Sequence, residues 1–300
     1  MEQSPFIEVG LPVALMIIMA GMGLGLTVRD FHQVVARPKA MVVGTIAQVT
    51  LIPLLAFGLA EFMGLSPVIA VGLVIIAACP GGTTSNVFTL LARGNVALSI
   101  MLTVLASLIT IVTIPLFTNF ALALYSTGAE EQTVQLPVLR TVITLSVVVI
   151  LPVLIGMFVR RRSLSFAERA EKYVGKFGLV VLVLLIAVIV YGTRHEIISL
   201  VAQAGPAATA LNIVGIAIGF ASSKLLGVSR EDGLTIAIEV GIKNGTIGLM
   251  VTLTLLKSAE MAIPSAVYGV QMFVFGGLLV VFGRRQSPDA VHVEHGQHSR

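Results

Sequence analysis

Nine stretches of this chain are long and apolar enough to cross a lipid bilayer, approximately residues 9–28, 40–60, 67–92, 94–122, 138–159, 177–193, 204–223, 233–256 and 261–283. The hydrocarbon core is about 30 Å thick, and a helix needs about 20 apolar residues to span it. No water reaches the backbone there, so each segment must satisfy its own N–H and C=O groups. The expected fold is therefore an all-α polytopic membrane protein with nine transmembrane helices. Composition agrees, since 56% of the 300 residues are hydrophobic and 11% are charged, against roughly 25% charged in soluble domains. The net charge of +4 is then no sign of nucleic-acid binding. The first run is too long, and too closely followed by basic residues and a second span, to be a cleaved signal peptide.

The basic residues sort by face when nine spans are threaded. Arg29, Arg37, Lys39, Arg93, Arg160, Arg161, Arg162, Arg169, Lys172, Lys176, Lys224, Arg230, Arg284, Arg285 and Arg300 fall on one side. Arg140, Arg194 and Lys257 fall on the other. The positive-inside rule places the N-terminus outside and the tail 284–300 in the cytoplasm.

Two runs contain features that a plain spanning helix avoids. The third holds "ACPGGTTSNV", Ala78 to Val87, with a proline, adjacent glycines and clustered polar side chains. The eighth holds "IEVGIKNGTIG", Ile238 to Gly248, with Glu239 and Lys243, the charges set deepest in any run. Irregular backbone at membrane depth is tolerated only where it is buried in protein or lines a cavity. Each break lies in the next-to-last span of its half, which is the signature of inverted repeats with a binding site at the midplane. The first half, spans one to four, is one helix shorter than the second. A carboxylate at bilayer depth is expensive and points to function. Two plainer readings stand beside this one. Glycines also serve close helix packing, and Glu239 and Lys243, four apart, could form an intrahelical pair.

Other features carry less. Cys79, the single cysteine, excludes a disulfide within the chain and reads as a small buried hydrophobe. Pro53, Pro115 and Pro152 read as kinks that neighbouring helices repair. His292, His295 and His298 sit in a terminal tail. "RRRSLSFAER" reads as a cytoplasmic connector whose basic run can touch anionic lipid headgroups.

"CPGGTTSNVFTLLARGNVALS" (Cys79 to Ser99), "GMGLGLTVRDF" (Gly21 to Phe31), "GTIAQVTLIP" (Gly44 to Pro53) and "IEVGIKN" (Ile238 to Asn244) resemble the bile acid:sodium symporter family over roughly residues 9 to 283. The resemblance implies a core domain, approximately 40–122 and 204–283, in which the two broken helices cross. It implies a panel domain, approximately 9–28 and 138–193, with substrate in the crevice between. It also implies a first sodium site at Ser85, Asn86, Ser99, Thr103 and Glu239, where hydroxyl, amide and carboxylate oxygens suit a hard cation. Hydroxyls in membrane helices also bond back to their own carbonyls, which is the plainer account of Ser99 and Thr103.

A second cation site of the family would fall on Gln48, Glu239, Val240, Ile242 and Lys243. Here the sequence departs from the pattern, because an ammonium has donors only and cannot ligate a cation. Lys243 either replaces that ion or exchanges a proton during transport. Small-carboxylate binders of the family contact the anion with residues matching Thr83 and Asn244, each near the start of a half-helix that favours negative charge.

The expected activity is sodium-coupled symport of an organic anion by alternating access. The anion would be bile-salt-like or a small carboxylate such as pantoate or a keto acid. Proton-coupled or sodium-independent carriage is the alternative. Sodium is the coupling ion, no cofactor is expected, and the location is the cell membrane, by resemblance a bacterial inner membrane, with the monomer as the working unit. A channel would need a continuous polar path. An intramembrane enzyme would need a nucleophile and base, and no histidine lies in a span.

Overall fold

The computed structural model describes residues 6–27, 38–125 and 135–285. Within them the chain is helical, with one isolated antiparallel bridge between Gly81 and Lys243. The elements are α1 (Leu11–Gly25), α2 (Pro38–Ile46), α3 (Ile52–Phe62), α4 (Pro67–Ala78), α5 (Thr83–Leu91), α6 (Val96–Tyr125), α7 (Val138–Arg162), α8 (Leu164–Gly192), α9 (Ile197–Leu226), α10 (Arg230–Gly241), α11 (Gly245–Leu249) and α12 (Ile263–Arg285). A π-helical turn, Ala47–Leu51, joins α2 to α3 without a break, and a second, Met250–Leu255, continues α11.

Seven helices among the described residues are long and apolar enough to cross a membrane. The runs 67–92 and 233–256 are the ones divided into shorter helices, α4 with α5 and α10 with α11. Arg29, Arg37, Arg300 and the tail histidines lie outside the described residues. The connector around 160–169 is largely helical. Arg160, Arg161 and Arg162 end α7, Ser163 is extended, and α8 starts at Leu164. Thus α8 begins well before the apolar run at 177, as an amphipathic segment with Glu168, Arg169, Glu171 and Lys172.

The prolines act in two ways. Helices α6 and α7 run through Pro115 and Pro152. Pro53 sits in the first turn of α3, directly after the widened turn Ala47–Leu51. A proline ring clashes with the carbonyl four residues back, here Val49, and a π turn relieves such crowding.

Helix α1 packs chiefly on α7 and α8, while α4, α6, α9, α10 and α12 pack among themselves. The α1–α7 contact is backbone against backbone. A Cβ on Gly23 would stand 2.1 Å from the carbonyl oxygen of Val153, and one on Gly156 would stand 2.2 Å from that of Ala20. Small residues serve close packing in this contact, where dispersion rather than water exclusion holds helices together. Ile69 to Ile76 of α4 is fully buried, whereas Leu179, Val180, Val183 and Leu184 of α8 are exposed, as suits a face turned to lipid.

Candidate functional site

The two interruptions meet, and each repairs the other. Cys79 precedes a proline and is extended (φ −66°, ψ 148°), as sterics demand, so α4 cannot continue. Ile242 and Asn244 are likewise non-helical. The freed backbone groups are then shared out. Gly82 N–H donates to Ile242 O at 3.3 Å and Asn244 N–H to Pro80 O at 2.8 Å. Asn212 Nδ2 (3.2 Å) and Tyr268 O–H (3.0 Å) donate to Gly241 O. Lys243 Nζ donates to Cys79 O at 3.0 Å. A buried backbone polar group must find a partner, and these do.

Glu239 lies beside this crossing and is fully buried. Ser85 Oγ and Ser99 Oγ (2.5 Å) contact its Oε1, and Thr103 Oγ1 donates to Oε2 at 2.8 Å. Ser99 Oγ also reaches Asn86 Oδ1 at 2.9 Å, and Ser85 Oγ reaches Gly82 O at 2.6 Å. Ser85, Asn86, Ser99, Thr103 and Glu239 are therefore one cluster, drawn from α5, α6 and α10. Ser99 and Thr103 share a face of α6, and their hydroxyls turn to the carboxylate rather than to their own helix.

Ser85 and Ser99 each own one hydroxyl proton, and each lies within hydrogen-bond distance of two further polar groups of the cluster. An electron-rich shell of hydroxyl, amide and carboxylate oxygens is the donor set of a hard cation, so the residues present fit sodium.

The second group of predicted residues is arranged otherwise. Lys243 is also fully buried, but α10 ends at Gly241, so it does not stack over Glu239 as an intrahelical pair would. Its Nζ donates to Cys79 O and, at 3.3 Å, to Gln48 O. Gln48 belongs to the π turn, donates through Nε2 to Leu102 O at 3.2 Å, and leaves its buried Oε1 without a partner. The Ile242 carbonyl is committed to Gly82. Val240 is buried in α10.

A cavity of about 400 Å³ opens beside the crossing. Ile18, Met22, Val174 and Leu182 line it from α1 and α8, and Thr83, Asn86, Asn244 and Thr246 from the broken helices. Thr83 is the first residue of α5. Asn244 caps α11 by accepting from Ile247 N–H at 3.2 Å, so its Nδ2 donors are what it offers a ligand. Both helix starts present backbone donors that favour an anion.

Sequence reasoning missed four contributors. Asn212 and Tyr268 hold the Gly241 carbonyl, and Thr89 Oγ1 donates to Ser99 Oγ at 3.2 Å. At Gly81 any Cβ would stand 2.3 Å from Glu239 Oε2. Asn212 was visible as an isolated amide in an apolar run; the need for glycine at 81 was not, because it arises from the crossing.

The model of the Sodium Bile acid symporter family matches residues 12–200. A Bacillus subtilis protein named as an uncharacterised sodium-dependent transporter, YocS, is 35% identical over 271 residues, covering 89% of this chain and 80% of that one. The probable chloroplastic sodium/metabolite cotransporter BASS1 of Arabidopsis thaliana is 30% identical over 276 residues, 92% of this chain and 67% of its own length. Human sodium/bile acid cotransporter 4 is 31% identical over 237 residues, 77% of this chain and 52% of its own. These relatives are named as transporters, not enzymes, and the chain belongs to the sodium bile acid symporter family.

Proposed function

We propose that the chain is a secondary active transporter that carries an organic monoanion together with sodium by alternating access. Sodium sits among Ser85, Asn86, Ser99, Thr103 and Glu239. The carboxylate of the substrate meets Thr83 and Asn244 at the two helix starts, and its apolar body lies along Ile18, Met22 and Leu182. Each broken pair crosses the membrane as one span, so nine spans form two inverted repeats, with the N-terminus outside and the C-terminus in the cytoplasm of a bacterial inner membrane. Helices α1, α7 and α8 form a panel that rocks against a core made of the rest, and substrate is bound and released through the crevice between them.

One observation carries this reading: the hydroxyls of Ser85, Ser99 and Thr103 and the amide of Asn86 converge with the buried carboxylate of Glu239 in a single oxygen-rich cluster. Proton coupling, with the proton carried on Glu239, is the alternative that the test separates from sodium coupling. The test is a stabilisation screen of the purified protein with pantoate, keto acids and bile salts, in sodium and in potassium. The stabilising anion is then followed into proteoliposomes. Sodium-gradient-driven uptake above equilibrium supports symport. Passive equilibration indifferent to sodium argues against it.

A further inference from the structure

Lys243 brings a positive charge to the middle of the protein, yet its partners are carbonyl oxygens rather than a carboxylate. Its Nζ is held by Cys79 O at the first break and by Gln48 O in the π turn. The side-chain Oε1 of the same Gln48 is buried without a partner. Glu239 is engaged by three hydroxyls instead. A buried place lined by carbonyl oxygens suits a bare cation, and here a tethered ammonium fills it. A free cation cannot join, because it would meet a like charge in a medium that screens poorly.

The charges then close. Before loading, the crossing holds one carboxylate and one ammonium and is neutral. One sodium and one monoanion leave it neutral again. We infer that Lys243 is a built-in counter-cation, so that each cycle moves one sodium with one organic monoanion and no net charge. This rests on the sodium reading above.

The experiment is equilibrium dialysis of the purified full-length chain against radioactive sodium at constant ionic strength. The wild type is expected to bind one sodium per chain. Lys243→Gln, which exchanges the ammonium for an amide oxygen and a neutral donor, is expected to bind a second. Two sodium ions in the wild type, or one in a folded Lys243→Gln, would overturn the inference. If Lys243→Gln does not fold, the wild-type count decides alone. A wild type that binds no sodium overturns the symport reading itself, and this inference with it.

Discussion

Glu239 is tolerable in the buried interior because hydroxyl donors are placed around it before any ligand arrives. An isolated ionised carboxylate there would be costly, but hydroxyls from two other helices face both of its oxygens. Removing one hydroxyl should weaken the cation shell without emptying it. Ser99→Ala is expected to lower sodium affinity about tenfold, roughly 1.4 kcal/mol, measured by sodium titration of thermal stability. Gly81→Ala tests the close approach on the other side of the carboxylate. Its methyl would stand 2.3 Å from Oε2, and overpacking of this kind costs about 1–3 kcal/mol. The melting temperature should fall, and sodium affinity should fall with it because the carboxylate must move. A variant as stable and as sodium-sensitive as the wild type would show that Gly81 has room.

The broken helices exchange backbone partners, which is why interruption is affordable without water. The breaks were legible in the sequence, since Pro80 removes a donor and Glu239 and Lys243 have no place in a plain span. Their mutual repair was not, because Gly82 and Ile242 are far apart in the chain and pair only through tertiary approach. The plainer reading of Glu239 and Lys243 as an intrahelical pair does not hold, for a related reason: four residues make neighbours only on a continuous helix, and α10 stops at Gly241. The π turn at Ala47–Leu51 was also hidden, although Pro53 hinted at disturbed helical bonding. Tyr268→Phe removes one of two donors to Gly241 O and should cost about 1 kcal/mol. Gly156→Ala pushes a methyl against the Ala20 carbonyl and should lower the melting temperature by separating α1 from α7, while sodium affinity stays unchanged. A parallel loss of sodium binding in Gly156→Ala would mean that the α1–α7 contact and the Glu239 cluster are one unit.

At the scale of the whole molecule, the cavity lies between the α1–α8 wall and the broken helices, with the oxygen cluster immediately behind it. Asn86 and Thr103 belong to both the cluster and the cavity wall. Sodium in the cluster would therefore set the position of side chains that the anion meets, and the two ligands should bind more tightly together than apart. Coupling of this kind is reciprocal. Everything depends on sodium lodging beside Glu239. The direct measurement is the melting temperature of the purified chain titrated with sodium against potassium, for the wild type and Glu239→Gln. Sodium at about a hundred times its dissociation constant should stabilise the wild type by about 2.7 kcal/mol, and potassium should not. Glu239→Gln keeps the shape and loses the charge, so its sodium response should vanish. A wild type indifferent to sodium, or a Glu239→Gln that responds as the wild type does, would contradict the assignment.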